Sequence, residues 1–196
     1  NKLHGNSKEW YKNGQIRAKS NWKNGQKDGE WTEHYENGQI KKEENWKNNE
    51  WQNSKEWYKN GQILKLWDLY SLTTYFENGQ KRYESRYNPD NYNQHELIRY
   101  HSNGAVSFKG KSPSPFEEWM YYEGQISDGN FTLYNENEEV ITVTVVKDGE
   151  YFLMFYKDEK GNILVEDGNG TIKSEYWGEE IYKNGKLQNE DDWGDD

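Results

Sequence analysis

The side chains of this sequence that could do chemistry are its histidines and carboxylates, because it contains no cysteine. A thiolate nucleophile, a disulfide and a thiolate zinc site are therefore excluded. The four histidines are far apart and lack the His-x-x-x-His spacing of a metal site: His4, His34, His95 and His101. His34 and His101 stand at strand positions where other copies have Trp or Tyr. We therefore predict that these histidines replace an aromatic residue and do not bind a metal.

Carboxylates are abundant, but their positions do not predict an active site. Glu43-Glu44 and Glu117-Glu118 alternate between the faces of a strand or lie in polar runs, so neither pair predicts a glycosidase dyad. The sequence also lacks the nucleophile-elbow, phosphate-loop, dinucleotide-binding and kinase signatures. We therefore predict a protein that is not an enzyme and that holds no cofactor and no metal.

The string DGNGTI at residues 167–172 has ligand types found in the middle of a calcium-binding EF-hand loop. If Asp167 and Asn169 take the third and fifth ligand positions, Val165 and Tyr176 stand at the first and last. Those two positions require carboxylates. Because the loop lacks its two most important ligands, the string predicts a turn between strands.

A repeat supplies the elements that position these side chains. WYKNGQI occurs at 10–16 and again at 57–63, with HYENGQI between them at 34–40, so the steps are 24 and 23 residues. Asn-Gly between two alternating runs is a strong signal for a hairpin with a two-residue type I′ turn. Each copy is therefore predicted to be strand, turn, strand. The aligned dipeptides begin at Asn13, Asn37, Asn60, Asn78, Asn103 and Asn184.

The predicted turn sets a register for each hairpin and so predicts the two faces of the sheet. Around Asn37-Gly38 the predicted pairs are Tyr35 with Ile40, His34 with Lys41, Glu33 with Lys42 and Thr32 with Glu43. One face is then aromatic, with Trp31 and Trp46, and the other is charged. The predicted fold class is all-β, an elongated array of antiparallel hairpins that forms an open, twisted meander.

The segment at 138–156 differs, because both faces of its predicted hairpin are apolar. A turn at Asp148-Gly149 pairs Val146 with Tyr151, Val145 with Phe152, Val143 with Met154 and Ile141 with Tyr156. Such strands must be covered on both sides. The sheet either folds over there into a core, which makes the second half more globular, or forms a homodimer or partner interface. We predict four regions: regular repeats over 1–87, degenerate repeats over 88–137, the apolar hairpin with terminal repeats over 138–188, and an acidic tail over 189–196.

Composition restricts the core and the choice of partner. Only 31% of residues are hydrophobic and half of these are aromatic, which excludes a thick aliphatic core. No apolar run reaches the length of a membrane helix, so membrane insertion is not expected. The net charge of −10 divides into +3 for residues 1–100 and −13 for residues 101–196. Acidic proteins repel nucleic acid, so we expect a basic protein as the partner.

The pattern W/Y-Y-x-N-G-x-I, followed by a charged strand and repeated every 23–24 residues, resembles the bacterial MORN repeat variant of the YwqK-type antitoxin family. The resemblance is most specific over 5–63, weaker over 72–126, and returns over 156–188. It implies a β-hairpin array that acts in protein interaction, and an antitoxin or immunity function for part of the family.

The expected function is therefore to bind another protein, as an antitoxin or immunity protein that neutralises a basic toxin in the bacterial cytoplasm. The alternative is an exported or cell-surface adhesive array that binds glycans, which applies if a signal peptide preceded Asn1. Aromatic anchors ringed by carboxylates suit a basic partner. The predicted partner-binding residues are Glu117, Glu118, Trp119, Tyr121, Tyr122, Trp177, Glu179, Glu180, Asp191, Asp192 and Trp193.

Overall fold

The computed structural model of the chain describes residues 2–87, 95–112, 129–174 and 178–188. All regular secondary structure in these ranges is β-strand, and every strand pairing there is antiparallel. The predicted all-β array of hairpins is confirmed. The chain divides into two compact units, Asn1–Arg86 and Tyr87–Asp196, which we call unit 1 and unit 2.

Unit 1 is a meander in which neighbouring strands in sequence are neighbours in the sheet. β1 pairs with β2, β2 with both β3 and β4, and from β4 to β9 each strand pairs with the next. Its strands are β1 (Gly5–Trp10), β2 (Ile16–Lys23), β3 (Gln26–Lys27), β4 (Gly29–His34), β5 (Ile40–Lys47), β6 (Glu50–Trp57), β7 (Ile63–Asp68), β8 (Ser71–Tyr75) and β9 (Lys81–Tyr87).

Unit 2 follows the same plan, each of its strands pairing with the next. Its described strands are β10 (His95–Tyr100), β11 (Val106–Ser112), β12 (Gly129–Tyr134), β13 (Val140–Lys147), β14 (Glu150–Lys157), β15 (Ile163–Glu166), β16 (Asn169–Ser174), β17 (Gly178–Lys183) and β18 (Lys186–Leu187).

The repeated Asn-Gly turn of the first five copies is not the predicted type I′ turn. In the first copy the Tyr11 amide donates to the Gln15 carbonyl at 2.8 Å, and the Gly14 amide donates to the Tyr11 carbonyl at 3.0 Å. Gly14 has a φ of 84°, whereas Asn13 does not have a positive φ. This is a type I turn closed by a left-handed glycine, the G1 bulge form. Asn13 is suited to it because its Oδ1 accepts the Gln15 amide at 3.0 Å.

The bulge changes the register next to these turns. His34 pairs with Ile40, so the predicted pairs His34–Lys41 and Tyr35–Ile40 are wrong. Beyond the bulge the register returns to the predicted one, with Glu33 opposite Lys42. The extra residue of the turn is absorbed within one step of the ladder, and the predicted faces therefore hold over most of each strand.

The face predicted to be aromatic also carries charges. Trp31 lies opposite Glu44, and Glu33, two residues beyond Trp31, lies opposite Lys42 on the same face. The charged row continues from Lys42 to Glu56 on β6. Because Glu33, Lys42 and Glu56 alternate in sign, neighbouring charges in this row attract each other and stabilise the sheet.

Two-residue turns with two positive φ values occur at the other ends of the strands. They lie at Asn24-Gly25, Asn48-Asn49, Asp148-Gly149, Asp167-Gly168 and Asn184-Gly185. The predicted turns at residues 148–149 and 184–185 are thus confirmed. In the calcium-like string at 167–172, Asp167 and Gly168 form a turn between β15 and β16, as predicted, and the rest of the string belongs to β16. The Asn169 side-chain amide donates to the Asp167 carbonyl at 2.9 Å.

The apolar hairpin β13–β14 keeps its predicted register only near its turn. Two predicted pairs are confirmed, Val146 with Tyr151 and Val145 with Phe152, and two are wrong, Val143 with Met154 and Ile141 with Tyr156. A bulge in β14 causes the change. The Leu153 amide donates to the Gly185 carbonyl at 2.8 Å, and the Met154 carbonyl accepts the Gly168 amide at 2.9 Å. The two C-terminal turns of unit 2 therefore lie against this hairpin.

Candidate functional site

Three tyrosines of unit 1 clamp each repeat to the next. Their hydroxyls donate to main-chain carbonyls 17 to 23 residues further along: Tyr11 to His34 at 2.6 Å, Tyr35 to Trp57 at 2.7 Å, and Tyr58 to Tyr75 at 2.8 Å. Each acceptor immediately precedes the next G1 turn. In unit 2, His101 occupies this place and its Nε2 lies 3.1 Å from the Tyr134 carbonyl. In these four copies the residue that begins the G1 turn is therefore a structural clamp, whereas the fourth copy of the Asn-Gly motif has Phe76, which lacks a hydroxyl, at this place.

The repeated asparagines join the same turns. Their side-chain amides donate to the carbonyl of the second turn residue in the following repeat: Asn13 to Glu36 at 3.2 Å, Asn60 to Glu77 at 3.4 Å, and Asn103 to Glu136 at 3.3 Å. Because these contacts use the polar atoms of the motif, its strict repetition is explained by stacking.

We expect Tyr35→Phe to lower the free energy of unfolding by about 1 kcal/mol, because it removes one hydrogen bond and leaves the Trp57 carbonyl without that donor. Urea unfolding followed by far-ultraviolet circular dichroism measures the change. Phe76→Tyr is the matched control at a turn position where the chain already has phenylalanine, and it should not destabilise. An unchanged stability of Tyr35→Phe would contradict the clamp.

Burial makes two histidines resist protonation. The pKa of His34 is lowered by burial and then by the nearby Lys19 charge, and burial lowers the pKa of His95. Unfolding therefore favours proton uptake at both residues. The surroundings of the two histidines do not support metal binding. Among the described residues, no group of three or more His, Asp or Glu side chains could hold a metal ion.

We expect the free energy of unfolding to fall as pH is lowered from about 7.5 to about 5. The unfolded chain binds protons at the two histidines near pH 6.5, and the folded chain only at lower pH, so their stabilisation is lost across that window. Urea midpoints at the two pH values, compared with the double variant His34→Gln and His95→Gln, measure it. A folded-state pKa of His34 at or above 6.5 by nuclear magnetic resonance would contradict the prediction.

A row of tryptophans crosses one face of unit 1. The ring centroids of Trp22 and Trp31 are 6.3 Å apart, and those of Trp31 and Trp46 are 6.5 Å apart. The Lys27 ammonium lies 3.7 Å from the Trp31 centroid and 4.1 Å from the Trp46 centroid. Such distances give a cation–π contact with both rings. Part of this aromatic face is therefore covered by a lysine of the chain itself.

Charged residues beside the tryptophan row neutralise one another. The Lys42 ammonium lies 2.8 Å from the Glu44 carboxylate and 3.9 Å from that of Glu56. Burial acts to lower the pKa of Lys42, but the hydrogen bond to Glu44 and the carboxylates of Glu44, Glu56 and Glu33 outweigh it, so the pKa is raised. Lys42 therefore stays charged and stabilises the sheet through these ion pairs. It is not a candidate catalytic base.

Unit 2 contains an open groove of about 660 Å³. The Lys186 ammonium and Glu150 carboxylate pair at 2.7 Å on its wall, and both side chains are exposed. The Tyr182 hydroxyl donates to Glu180 at 3.2 Å, and burial together with the Glu180 charge raises the pKa of Tyr182. The groove is lined by Thr144, Glu150, Tyr151, Leu153, Tyr182, Gly185, Lys186 and Leu187. Sequence reasoning did not find it, because its walls come from strands 30 to 40 residues apart.

Two of the eleven predicted partner-binding residues, Glu179 and Glu180, lie in the described part of the chain. They are adjacent on β17 and so point to opposite faces. Glu179 lies 3.2 Å from Lys173, and Glu180 accepts the Tyr182 hydroxyl. The other nine lie outside the described residues: Glu117, Glu118, Trp119, Tyr121, Tyr122, Trp177, Asp191, Asp192 and Trp193.

The negative charge of unit 2 is uneven along its sequence. No lysine or arginine occurs between Lys111 and Lys147, and residues 112–146 contain seven acidic and six aromatic residues. Residues 187–196 likewise contain five acidic residues and Trp193, without lysine or arginine.

Residues 3–24 and 27–48 match the family model of the MORN repeat variant. These two segments are similar to that repeat. The first matched segment contains β1 and β2, and the second contains β4 and β5. Tyr11 and Tyr35 stand at the same place in the two, so the Tyr11 clamp joins the first matched segment to the second. The match covers 44 of the 196 residues, and the clamps of Tyr58 and His101 extend the same geometry beyond it.

Among curated proteins, none matches this sequence. Within the described ranges there is also no helix long and apolar enough to cross a membrane.

Proposed function

We propose that this protein binds a basic protein partner through unit 2, without catalysis, as an antitoxin or immunity protein that neutralises a basic toxin. The observation that carries the proposal is that residues 112–146 and 187–196 of unit 2 contain 12 acidic and seven aromatic residues and no lysine or arginine. Carboxylates steer a basic partner and raise its association rate, and aromatic side chains supply the contact area that holds it.

The MORN repeat variants support a binding role for the whole array. Their most strictly repeated side chains are used to stack one hairpin on the next, which leaves the chemistry of binding to residues that differ between repeats. Repeat arrays of this kind present extended surfaces to other molecules. In this protein the residues that differ most in charge from the regular repeats lie in the second half.

A second candidate function, an exported or cell-surface array that binds glycans, is supported by the Trp22, Trp31 and Trp46 row. Flat aromatic rings in a row suit the apolar faces of sugars. Lys27 already lies over two of these rings, so a glycan would have to displace it. We therefore favour the protein partner.

The test compares two variants of equal charge change. One replaces Glu117, Glu118, Asp191 and Asp192 by the corresponding amides, and the control does the same to the exposed Glu30, Glu36, Glu50 and Glu77 of unit 1. Proteins captured from the source cells by each variant are identified at low and high salt. The captured protein should be basic, arrest growth when expressed alone, and be neutralised by the unchanged chain and by the control.

We expect the unit 2 variant to bind that partner at least about tenfold more weakly, in line with the loss of several charged contacts. Equal binding by both variants, or binding that ignores ionic strength, would contradict the proposal. Capture of a glycan by the unchanged chain, lost on Trp31→Ala, would favour the second candidate.

A further inference from the structure

Two tryptophans of unit 1 converge on the ammonium group of Lys27. This group lies 3.7 Å from the Trp31 centroid and 4.1 Å from the Trp46 centroid, while the two centroids are 6.5 Å apart. These three distances place the ammonium between the two rings. Because the faces of aromatic rings are electron-rich and attract cations, this point is a cation site that a side chain of the chain itself occupies.

The rings of this site are held in place by their own neighbours. The indole N–H of Trp46 donates to the Glu44 carboxylate at 3.1 Å. Trp31 has a ring on either side, since the Trp22 centroid lies at 6.3 Å and the Trp46 centroid at 6.5 Å. The indole N–H of Trp22 donates in turn to the Ser20 hydroxyl at 2.9 Å. A site whose side chains are already ordered loses little conformational entropy when it binds a ligand.

Only the side chain of Lys27 has to move to empty the site. Its main chain is held on both sides, by pairing with Trp22 on β2 and by the Lys27 carbonyl, which accepts the Asn49 amide at 2.8 Å. Within the described ranges no carboxylate forms an ion pair with Lys27, so the rings are the groups that hold its charge. Cation–π contacts at partly exposed sites are weak, and Lys27, Trp31 and Trp46 are all half-buried, so a cationic ligand can compete with Lys27.

The tilt of the rings favours one kind of cation. The planes of Trp22 and Trp31 are inclined by 50°, and those of Trp31 and Trp46 by 46°. A sugar stacks on a flat face, whereas two inclined faces enclose a compact, rounded group. A quaternary ammonium group has that shape. It also has no N–H to hydrogen-bond with water, so it loses less hydration between the rings than the strongly hydrated lysine ammonium does.

We propose that Trp31 and Trp46 bind a small quaternary ammonium compound, which enters by displacing the Lys27 side chain. The methyl groups around the charged nitrogen contact both ring faces. Lys27 is then an intramolecular competitor, which covers the rings when the ligand is absent and lowers the apparent affinity of the ligand. This site lies within unit 1 and does not depend on the protein partner proposed for unit 2.

The test titrates the full chain with choline by isothermal titration calorimetry. The control ligand is dimethylbutanol, in which carbon replaces the charged nitrogen of choline. We expect Lys27→Ala to bind choline at least about fivefold more tightly than the unchanged chain, because the competing ammonium is gone. Lys59→Ala is the matched control variant, since Lys59 is exposed and lies 5.9 Å from the centroid of a single ring, that of Tyr35. It should leave choline binding unchanged.

A second measurement uses the unchanged chain, so it does not depend on the folding of a variant. Choline should shift the indole N–H signals of Trp31 and Trp46 in nuclear magnetic resonance spectra more than that of the exposed Trp10. A largest shift at Trp10 would overturn the proposal. So would no gain of affinity in Lys27→Ala, or equal binding of choline and dimethylbutanol by that variant. Binding of a neutral oligosaccharide by Lys27→Ala in preference to choline would also overturn it.

Discussion

Replacing Gly168 by alanine is expected to destabilise unit 2 by about 3 kcal/mol or more, enough to compete with the whole stability of a small unit. Gly168 has a φ of 76°, and a Cβ placed on it would lie 2.4 Å from the Gly185 amide nitrogen. That atom belongs to the backbone of another tight turn and cannot swing aside as a side chain could. The added methyl group must therefore separate the two turns.

Separating these turns breaks a set of connected hydrogen bonds. The Gly168 amide donates to the Met154 carbonyl at 2.9 Å, the Gly185 amide to the Gly168 carbonyl at 2.7 Å, and the Leu153 amide to the Gly185 carbonyl at 2.8 Å. Each bond contributes about 1 kcal/mol, and buried main-chain groups left without partners cost more. The bulge of β14 is held by the same contacts, so we expect it to be lost as well.

Gly149→Ala is the matched control, because Gly149 also follows an aspartate in a two-residue turn and has a φ of 79°. A Cβ on Gly149 would have no atom within 4 Å. Alanine there costs only the strain of the left-handed conformation, about 1 kcal/mol. Urea unfolding of the two variants separates backbone strain from turn stacking. Equal losses of stability would show that the stacking of the turns contributes nothing.

Phe131→Ala is expected to cost about 3 to 4 kcal/mol, the range for a large side chain removed from a core. Phe131 is 8% exposed, and its ring centroid lies 6.0 Å from that of Phe108 on the neighbouring strand. The two rings cover Gly110, where a Cβ would lie 2.4 Å from Phe131 and 2.6 Å from Phe108. Gly110 thus leaves space for both rings. Removal of the Phe131 ring would leave a cavity over the Gly110 backbone.

Leu133→Ala provides the control for Phe131→Ala. Leu133 lies two residues further along β12, on the same face, but is 41% exposed. Its truncation should cost about 1 kcal/mol or less, since much of the side chain is already in water. Thermal and urea unfolding followed by near-ultraviolet circular dichroism measures both variants. A cost for Phe131→Ala no greater than that for Leu133→Ala would contradict a core at this position.

The sequence was sufficient to predict the hairpin array, because the signals for it are local. Residues within one motif of seven determine that the chain turns, and the step of 23 to 24 residues determines that the hairpins repeat. A calcium-binding EF-hand loop around residues 167–172 could be excluded in the same way, because Val165 and Tyr176 stand where carboxylates are required. The register of Glu33 with Lys42 followed from alternation along the strand alone.

Local signals did not distinguish the two kinds of turn. Asn-Gly at 13–14 forms a G1 turn and Asn-Gly at 184–185 forms a type I′ turn, although the dipeptide is the same. The two turns also have different contacts with other repeats: Asn13 donates to the Glu36 carbonyl, and the Gly185 amide donates to the Gly168 carbonyl. The core around Phe131 was also missed, although a glycine inside a strand, Gly110, is a signal of close packing.

The tertiary structure placed the groups that no local pattern brings together. The Lys27 ammonium reaches Trp46 across 19 residues, Tyr11 reaches the His34 carbonyl across 23, and Leu153 meets Gly185 across 32. Which side chain meets which carbonyl depends on how one hairpin twists onto the next, and that twist is a property of the stacked sheet. Alternation along a strand determines which face a residue occupies, but only the packing of separate strands determines what it contacts there.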